Sequence, residues 1–290
     1  MDRRDFTKTL GALLASPQIQ AQPQAVPHCR LRSGLVAYSF NKQLAAKTLT
    51  YESLIEYAAG LGVDGLDTTV YWFPDTSDRY LASLRHVAYR NALSLYSIAV
   101  RVRLSQPTPE LQRAEFETLK QWVDVAEKVG ATHIRVFGGP IPKDATEAQA
   151  IAWAVEVLKR CADYAGSRGM ILGVEDDGGL TTTAEQTVEI VSRANSPWAG
   201  ITLDTSNFRK NGYSQVAMCL PYTVNVHFKE MIATEDGTKE KADWNRLVGM
   251  FAQSGYKGYL SLEHDTTEPA DVAVPRLIPE LKRTIRKYSA

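Results

Sequence analysis

Short apolar runs alternate along this chain with longer stretches whose apolar residues return every three or four positions. The first kind reads as buried strand and the second as amphipathic helix. The pattern predicts strands over residues 31–40, 65–73, 93–102, 132–137, 170–175, 199–204, 223–229 and 259–263. It predicts helices over 51–61, 78–91, 109–129, 146–166, 183–194, 242–254 and 270–288, with a short or irregular one around 213–220. Helix 109–129 carries the clearest signal. Leu111, Phe116, Leu119, Trp122, Val123 and Ala126 share one face, and Gly130 stands where a left-handed residue would end it. A threonine, Thr183, is placed to cap helix 183–194.

Eight strands and eight helices in strict alternation imply parallel strands joined by helical crossovers. The eight-fold count favours a closed (β/α)8 barrel over an open sheet, and no GxGxxG follows the first strand to mark a dinucleotide site. A barrel of this kind takes roughly 250 residues as one domain.

Four of the strands end on a polar residue: Glu175, Asp204, His227 and Glu263, spaced by 29, 23 and 36 residues. In a parallel barrel all strand C-termini open on one face, so strands five to eight deliver these groups together. A charge closing an apolar strand is costly unless paired or metal-bound. Three carboxylates and an imidazole make an oxygen-rich set that suits one divalent ion, with manganese, magnesium, cobalt and zinc all admissible. Lys229 follows His227 by two positions and Arg135 lies near the end of the fourth strand, so both are candidate cations at the same face. Aromatic residues near the first two strand ends, Tyr38, Phe40, Tyr71, Trp72 and Phe73, could wall the same face, with Tyr38 and Trp72 the preferred candidates. The Gly-Gly-Leu-Thr-Thr-Thr segment 178–183 reads as a loop over the site. His86 and His133 draw no role, and His264 reads as structural because it points away from Glu263.

Composition adds exclusions. The 290 residues are 44% hydrophobic and 23% charged, and 33 basic residues balance 33 acidic ones. Balanced charge without a basic stripe argues against a nucleic-acid partner. No apolar run reaches the roughly 18 residues of a membrane span, so no membrane insertion of the mature chain is expected. Cys29, Cys161 and Cys219 are far apart and form no CxxC pair, which gives neither a disulfide framework nor a thiolate zinc site. The N-terminus is distinctive: Arg3-Arg4-Asp5-Phe6-Thr7-Lys8, then a weakly apolar stretch, then a Gln/Pro/Ala-rich linker. It resembles a twin-arginine export signal. Residues 1–28 are therefore expected to be signal and linker, residues 29–290 the barrel, and the mature protein periplasmic or secreted.

The strand-end motifs Gly-Val-Glu175, Leu-Asp204-Thr-Ser-Asn207, Val-His227-Phe-Lys229 and Leu-Glu263-His resemble, residue by residue, those of the xylose-isomerase-like sugar isomerases and epimerases. That family includes ketose 3-epimerases, inosose dehydratases and hydroxypyruvate isomerases, and the resemblance spans roughly residues 31–288. It implies a divalent ion, most often manganese, held by Glu175, Asp204, His227 and Glu263. It also implies proton abstraction beside a carbonyl through a metal-stabilised enediolate, with Glu175 and Glu263 as proton carriers on opposite faces of the substrate carbon. The implied substrate is a small sugar or keto-sugar, met by Asn207, Lys229, Arg135, Tyr38 and Trp72; monomer and oligomer are both compatible with it. Two features depart from the pattern. Asn207 stands where epimerases commonly carry histidine, and Asp176-Asp177 stand where Asn-His often follows the glutamate, which would add negative charge beside the metal. An amide can hydrogen-bond a hydroxyl but does not titrate near neutral pH. This departure leaves open a lyase or dehydratase that eliminates a leaving group from a keto-sugar or 3-keto-glycoside. An apurinic-site endonuclease, which needs many histidines, is disfavoured by the five present. A carbohydrate-binding barrel without catalysis would be favoured by loss of a ligand position, and all four are in place.

Overall fold

The computed structural model describes residues 30–289. The arginine pair and linker of the expected export signal lie outside these residues. Eight parallel strands close a barrel in sequence order: β1 (Leu31–Val36), β2 (Gly65–Thr69), β3 (Ser94–Arg103), β4 (His133–Phe137), β5 (Ile171–Glu175), β6 (Ala199–Asp204), β7 (Thr223–Phe228) and, after a small hairpin β8–β9 (Met231–Ala233, Lys239–Lys241), β10 (Gly258–Leu262), which pairs with β1. Around them run α1 (Asn41–Ala45), α2 (Tyr51–Gly60), α3 (Asp78–Arg90), α4 (Pro109–Val129), α5 (Glu147–Ser167), α6 (Ala184–Ala194), α7 (Gly212–Cys219), α8 (Trp244–Gln253) and α9 (Ala270–Arg286). This is a single (β/α)8 barrel.

Local sequence explains where the elements stop. Gly130 takes φ 91° and its N–H returns to Ala126 and Glu127, closing α4 as the glycine signal implies. The inner face of α4 is Leu119, Val123 and Ala126, whereas Leu111 in its first turn is exposed. Thr183 and Gln186 form a reciprocal capping box on α6. No described helix is long and apolar enough to cross a membrane.

Differences from the sequence expectation are local, and the short helix α1 is one of them. The first two strands end early, at Val36 and Thr69, and pass into 3-10 turns, Ala37–Phe40 and Val70–Trp72. Side-chain bonds fix these breaks: the Tyr51 hydroxyl donates to the Thr69 carbonyl, and Ser39 Oγ accepts the His264 N–H at 3.0 Å. The β8–β9 hairpin was not anticipated. Its turn is built by Asp236, which accepts from Thr238 N at 2.9 Å, and by Gly237 at φ 92°. An Asp-Gly pair beside threonines is the signal for it.

The barrel interior is unusually polar below its C-terminal mouth. His133 Nδ1 lies 2.8 Å from Ser97 Oγ and its Nε2 lies 3.1 Å from Thr202 Oγ1. Burial pushes His133 down to about 4, so the ring there is a neutral hydrogen-bonding strut. Gly173 makes room for it: a Cβ would come within 2.1 Å of Thr202 Oγ1 and 2.5 Å of His133 Nε2. Cys161 and Cys219 are buried free thiols, and burial pushes Cys161 up to about 12.

Candidate metal centre at the barrel mouth

Strand register delivers the four polar side chains. Asp204 stands opposite His227 across β6 and β7, while Glu175 ends β5 opposite Thr202 of β6. Glu263 immediately follows β10, its N–H held by the Phe228 carbonyl at 3.0 Å. One ligand atom from each of Glu175, Asp204, His227 and Glu263 can be chosen so that all lie within 4.8 Å of one another. All four residues are buried.

Hydrogen bonding within this cluster is incomplete in an informative way. His227 Nδ1 lies 2.8 Å from Glu175 Oε1 and 3.0 Å from Glu263 Oε2. One N–H cannot serve both, and Glu263 Oε2 is left buried without a hydrogen-bond partner. An orphaned carboxylate oxygen inside a ring of acceptors costs free energy unless a cation meets it. The three carboxylates and one imidazole therefore fit a divalent ion, and the oxygen-rich donor set is of the kind that holds manganese, magnesium, cobalt or zinc.

Two fixed cations flank the cluster. Arg135 Nε is 3.2 Å from Glu175 Oε2, though not aligned as a hydrogen bond, and its Nη1 donates to the Val100 carbonyl at 3.2 Å. Lys229 Nζ is 3.3 Å from both Asp204 Oδ2 and Glu263 Oε1, and 2.7 Å from Asp265 Oδ2. These charges decide the protonation of the acids. Burial pushes Glu175 up, but Arg135 and His227 outweigh it and hold it below the usual carboxylate range. Glu263 behaves alike, with Lys229 and His227 outweighing burial. Asp204 goes the other way: burial dominates, Lys229 only partly offsets it, Glu263 and Glu175 add repulsion, and it is pushed up to about 6. Burial lowers His227, but Glu263 and its hydrogen bonds to Asp67 and Glu175 raise it well above the ordinary histidine range.

The cavity above these groups measures about 250 Å³, and its walls include Arg135, Lys229, Asn207 and Tyr38. Trp72 is not among its walls. It packs against Tyr38, ring centroids 5.8 Å apart, and faces a neighbouring apolar cavity beside α1. Tyr71 takes the place at the mouth instead: it continues the inward register of Asp67 and Thr69, whereas Trp72 falls on the other side. Asp204 also accepts the Ser206 N–H at 2.8 Å, so it braces its own turn as well as facing the cluster. Asp176 does not add the charge beside the site that its sequence position suggested. It is buried, its Oδ1 accepts the Asp204 N–H at 2.7 Å, and burial with repulsion from Asp204 and Glu175 pushes it well above the carboxylate range, favouring the neutral form. His264 bridges Glu230, at 2.5 Å from Nδ1, and the Glu268 carbonyl, at 2.8 Å from Nε2, as a structural clamp.

Sequence reasoning missed Asp67 altogether. It lies in β2, fully buried, with Oδ2 at 3.2 Å from His227 Nε2 and 2.9 Å from Asn225 Nδ2. The available signal was energetic: a carboxylate inside a buried strand demands a partner. Asp265, also a wall of the cavity, was likewise not singled out, and Tyr71 was named among the wall aromatics but not preferred.

The sequence pattern of the family described as "Xylose isomerase-like TIM barrel" matches residues 55–287. Among curated proteins, none matches the chain by sequence. Solved structures share its fold at low identity. D-psicose 3-epimerase with D-tagatose from Clostridium cellulolyticum H10 is 17% identical with a TM-score of 0.71, covering 89% of this chain and 99% of its own. A xylose isomerase-like TIM barrel protein from Mycobacterium smegmatis in complex with magnesium is 16% identical with a TM-score of 0.70, over 89% and 98% of the two chains. The probable 3-DHS dehydratase AsbF from Bacillus anthracis is 15% identical with a TM-score of 0.64, over 88% and 98%. With a family pattern matching most of its length and a closed eight-stranded barrel beneath it, this chain belongs to the xylose isomerase-like TIM barrel family.

Proposed function

We propose that this protein is a divalent-metal-dependent sugar isomerase or epimerase that removes a proton from carbon beside a carbonyl. The observation that carries this reading is the convergence of Glu175 and Glu263 on His227 Nδ1, at 2.8 and 3.0 Å, in one buried mouth. Both carboxylates favour the ionised form, as a base requires. A divalent ion bound by Glu175, Asp204, His227 and Glu263 would polarise the substrate carbonyl and offset the negative charge that deprotonation creates. One glutamate takes the carbon-bound proton; as the resulting carboxylic acid it can return it to the neighbouring carbon for isomerisation, whereas epimerisation requires the other glutamate to gain a proton from solvent and deliver it to the opposite face. Arg135 and Lys229 keep the acid-rich pocket electrostatically affordable for an anionic intermediate. Asn207 offers an amide to a substrate hydroxyl, and the burial of the cluster limits access of water to the intermediate. The fold shared with D-psicose 3-epimerase supports the reading.

The test is a panel of keto-sugars and 3-keto-glycosides incubated with the manganese-loaded protein in D2O and followed by NMR. Deuterium should enter the carbon beside the carbonyl, with an epimer or isomer accumulating. A panel in which no member takes up deuterium or yields product would sink the proposal.

One observation favours a second outcome on the same residues. A further cavity of about 370 Å³ shares Tyr71, Phe137 and Asp177 with the first, and its walls include Arg101 and Arg103. The Arg101 guanidinium lies over Tyr71, 4.0 Å from the ring centroid. Room beyond the reacting sugar suits a glycoside, whose aglycone could leave by β-elimination after the same deprotonation. In the NMR panel this outcome reads as an unsaturated keto-sugar and a freed aglycone.

We infer further that residues 1–28 export the protein through the twin-arginine route to the periplasm or beyond. Residues 1–30 fused to a folded reporter should carry it out of the cytoplasm only with Arg3 and Arg4 present. Undiminished export after both are changed to lysine would refute this.

A further inference from the structure

We propose that Asp67 is a positioning residue for the metal centre: it holds His227 with Nδ1 turned toward Glu175 and Glu263. The inference rests on the reading of those residues as a metal site. An imidazole can present either nitrogen, and what the distal nitrogen bonds decides which one is free to coordinate. Here the distal atom is Nε2, 3.2 Å from Asp67 Oδ2. With the Nε2 proton committed to that carboxylate, Nδ1 can offer its lone pair when an ion binds.

The carboxylate is itself held in place. Asp67 Oδ2 also accepts from Asn225 Nδ2 at 2.9 Å. Asn225 Oδ1 accepts the Tyr96 hydroxyl at 3.2 Å, and that hydroxyl lies 2.6 Å from Ser261 Oγ. Strands β2, β7, β3 and β10 are thereby tied across the barrel interior by one polar chain ending on His227. Asp67 and His227 are 0% and 1% exposed, so no solvent competes for the bond. The other carboxylate oxygen, Oδ1, is buried without a hydrogen-bond partner. A fully buried acid kept with half its acceptors unmet is expensive for stability alone, which points to a role in holding the ring.

The experiment titrates chelator-treated protein with Mn2+, reading free ion by electron paramagnetic resonance. It also records 15N-histidine NMR of the zinc-loaded protein to assign the ring tautomer. Asp67→Asn, nearly isosteric, should weaken Mn2+ binding by about 10- to 100-fold. It should also shift or broaden the His227 nitrogen signals from the Nε2–H pattern of the wild type. Asp67→Ala should weaken binding further. Ser97→Ala, which disturbs the same interior through His133 and leaves His227 untouched, should change neither readout. Wild-type affinity and an unchanged tautomer in folded Asp67→Asn would overturn the positioning role while leaving the metal site standing. Failure of the wild type to bind Mn2+, Zn2+ or any other divalent ion would overturn both.

Discussion

Glu263→Gln is expected to lower solvent deuterium exchange at the substrate carbon by about 10²- to 10⁴-fold, the usual contribution of a positioned base. The amide keeps the shape of the side chain and loses both the basicity and the charge. Lys229 would still have Asp204 Oδ2 at 3.3 Å and Asp265 Oδ2 at 2.7 Å, so the cation is not stranded and the fold should survive. Glu175→Gln should abolish exchange similarly but carries a structural cost. Arg135, 4% exposed, loses the nearest carboxylate to its guanidinium, and an uncompensated buried charge is strongly destabilising. The pair of variants therefore separates chemistry from folding. Exchange measured at saturating Mn2+, with bound metal quantified in each variant, removes the trivial explanation that the ion was lost. Wild-type exchange in both metal-loaded variants would rule these residues out as the bases.

How much of this was legible in the sequence depends on which physical rule each residue obeys. Glu175, Asp204, His227 and Glu263 close consecutive apolar strands, and a parallel barrel turns that linear position into proximity, so their convergence within 4.8 Å is readable before any coordinates. Lys229 and Arg135 follow from the same positional logic and do line the cavity. Trp72 and Tyr71 are different. Asp67 and Thr69 face the interior, so alternation puts Tyr71 on the inner side and Trp72 on the outer one. The preference for Trp72 followed residue type and not register. Asp67 is the instructive omission. Its partners, Asn225 and His227, are 158 and 160 residues away, and no local motif reports a pairing across a barrel interior. Only the energetic demand of a buried carboxylate could have flagged it. Asp176 shows the converse, since its position beside Glu175 suggested added negative charge, whereas its bond to the Asp204 N–H places it behind the site and burial favours its neutral form.

Removing divalent metal should abolish exchange completely and lower the melting temperature. At a free ion concentration a thousand times its Kd, binding to the folded state alone stabilises by about 4 kcal/mol. For a domain of this size that corresponds to a rise in Tm on the order of 10 °C. The electrostatics explain why the metal should matter so much. Without it, the carboxylates of Glu175 and Glu263 share one imidazole nitrogen, Glu263 Oε2 has no donor, and Asp204 is pushed up to about 6 by burial and its acidic neighbours. A divalent ion resolves all three at once, and displaces the proton that His227 otherwise holds between the acids. The expected stoichiometry is one ion per chain, measured by elemental analysis beside the melting curve. A melting temperature indifferent to Mn2+, Mg2+, Co2+ and Zn2+ would mean that Lys229, Arg135 and a protonated His227 already balance the acids. The cluster would then be a buried ion-pair network, and the barrel mouth would need another account of its carboxylates.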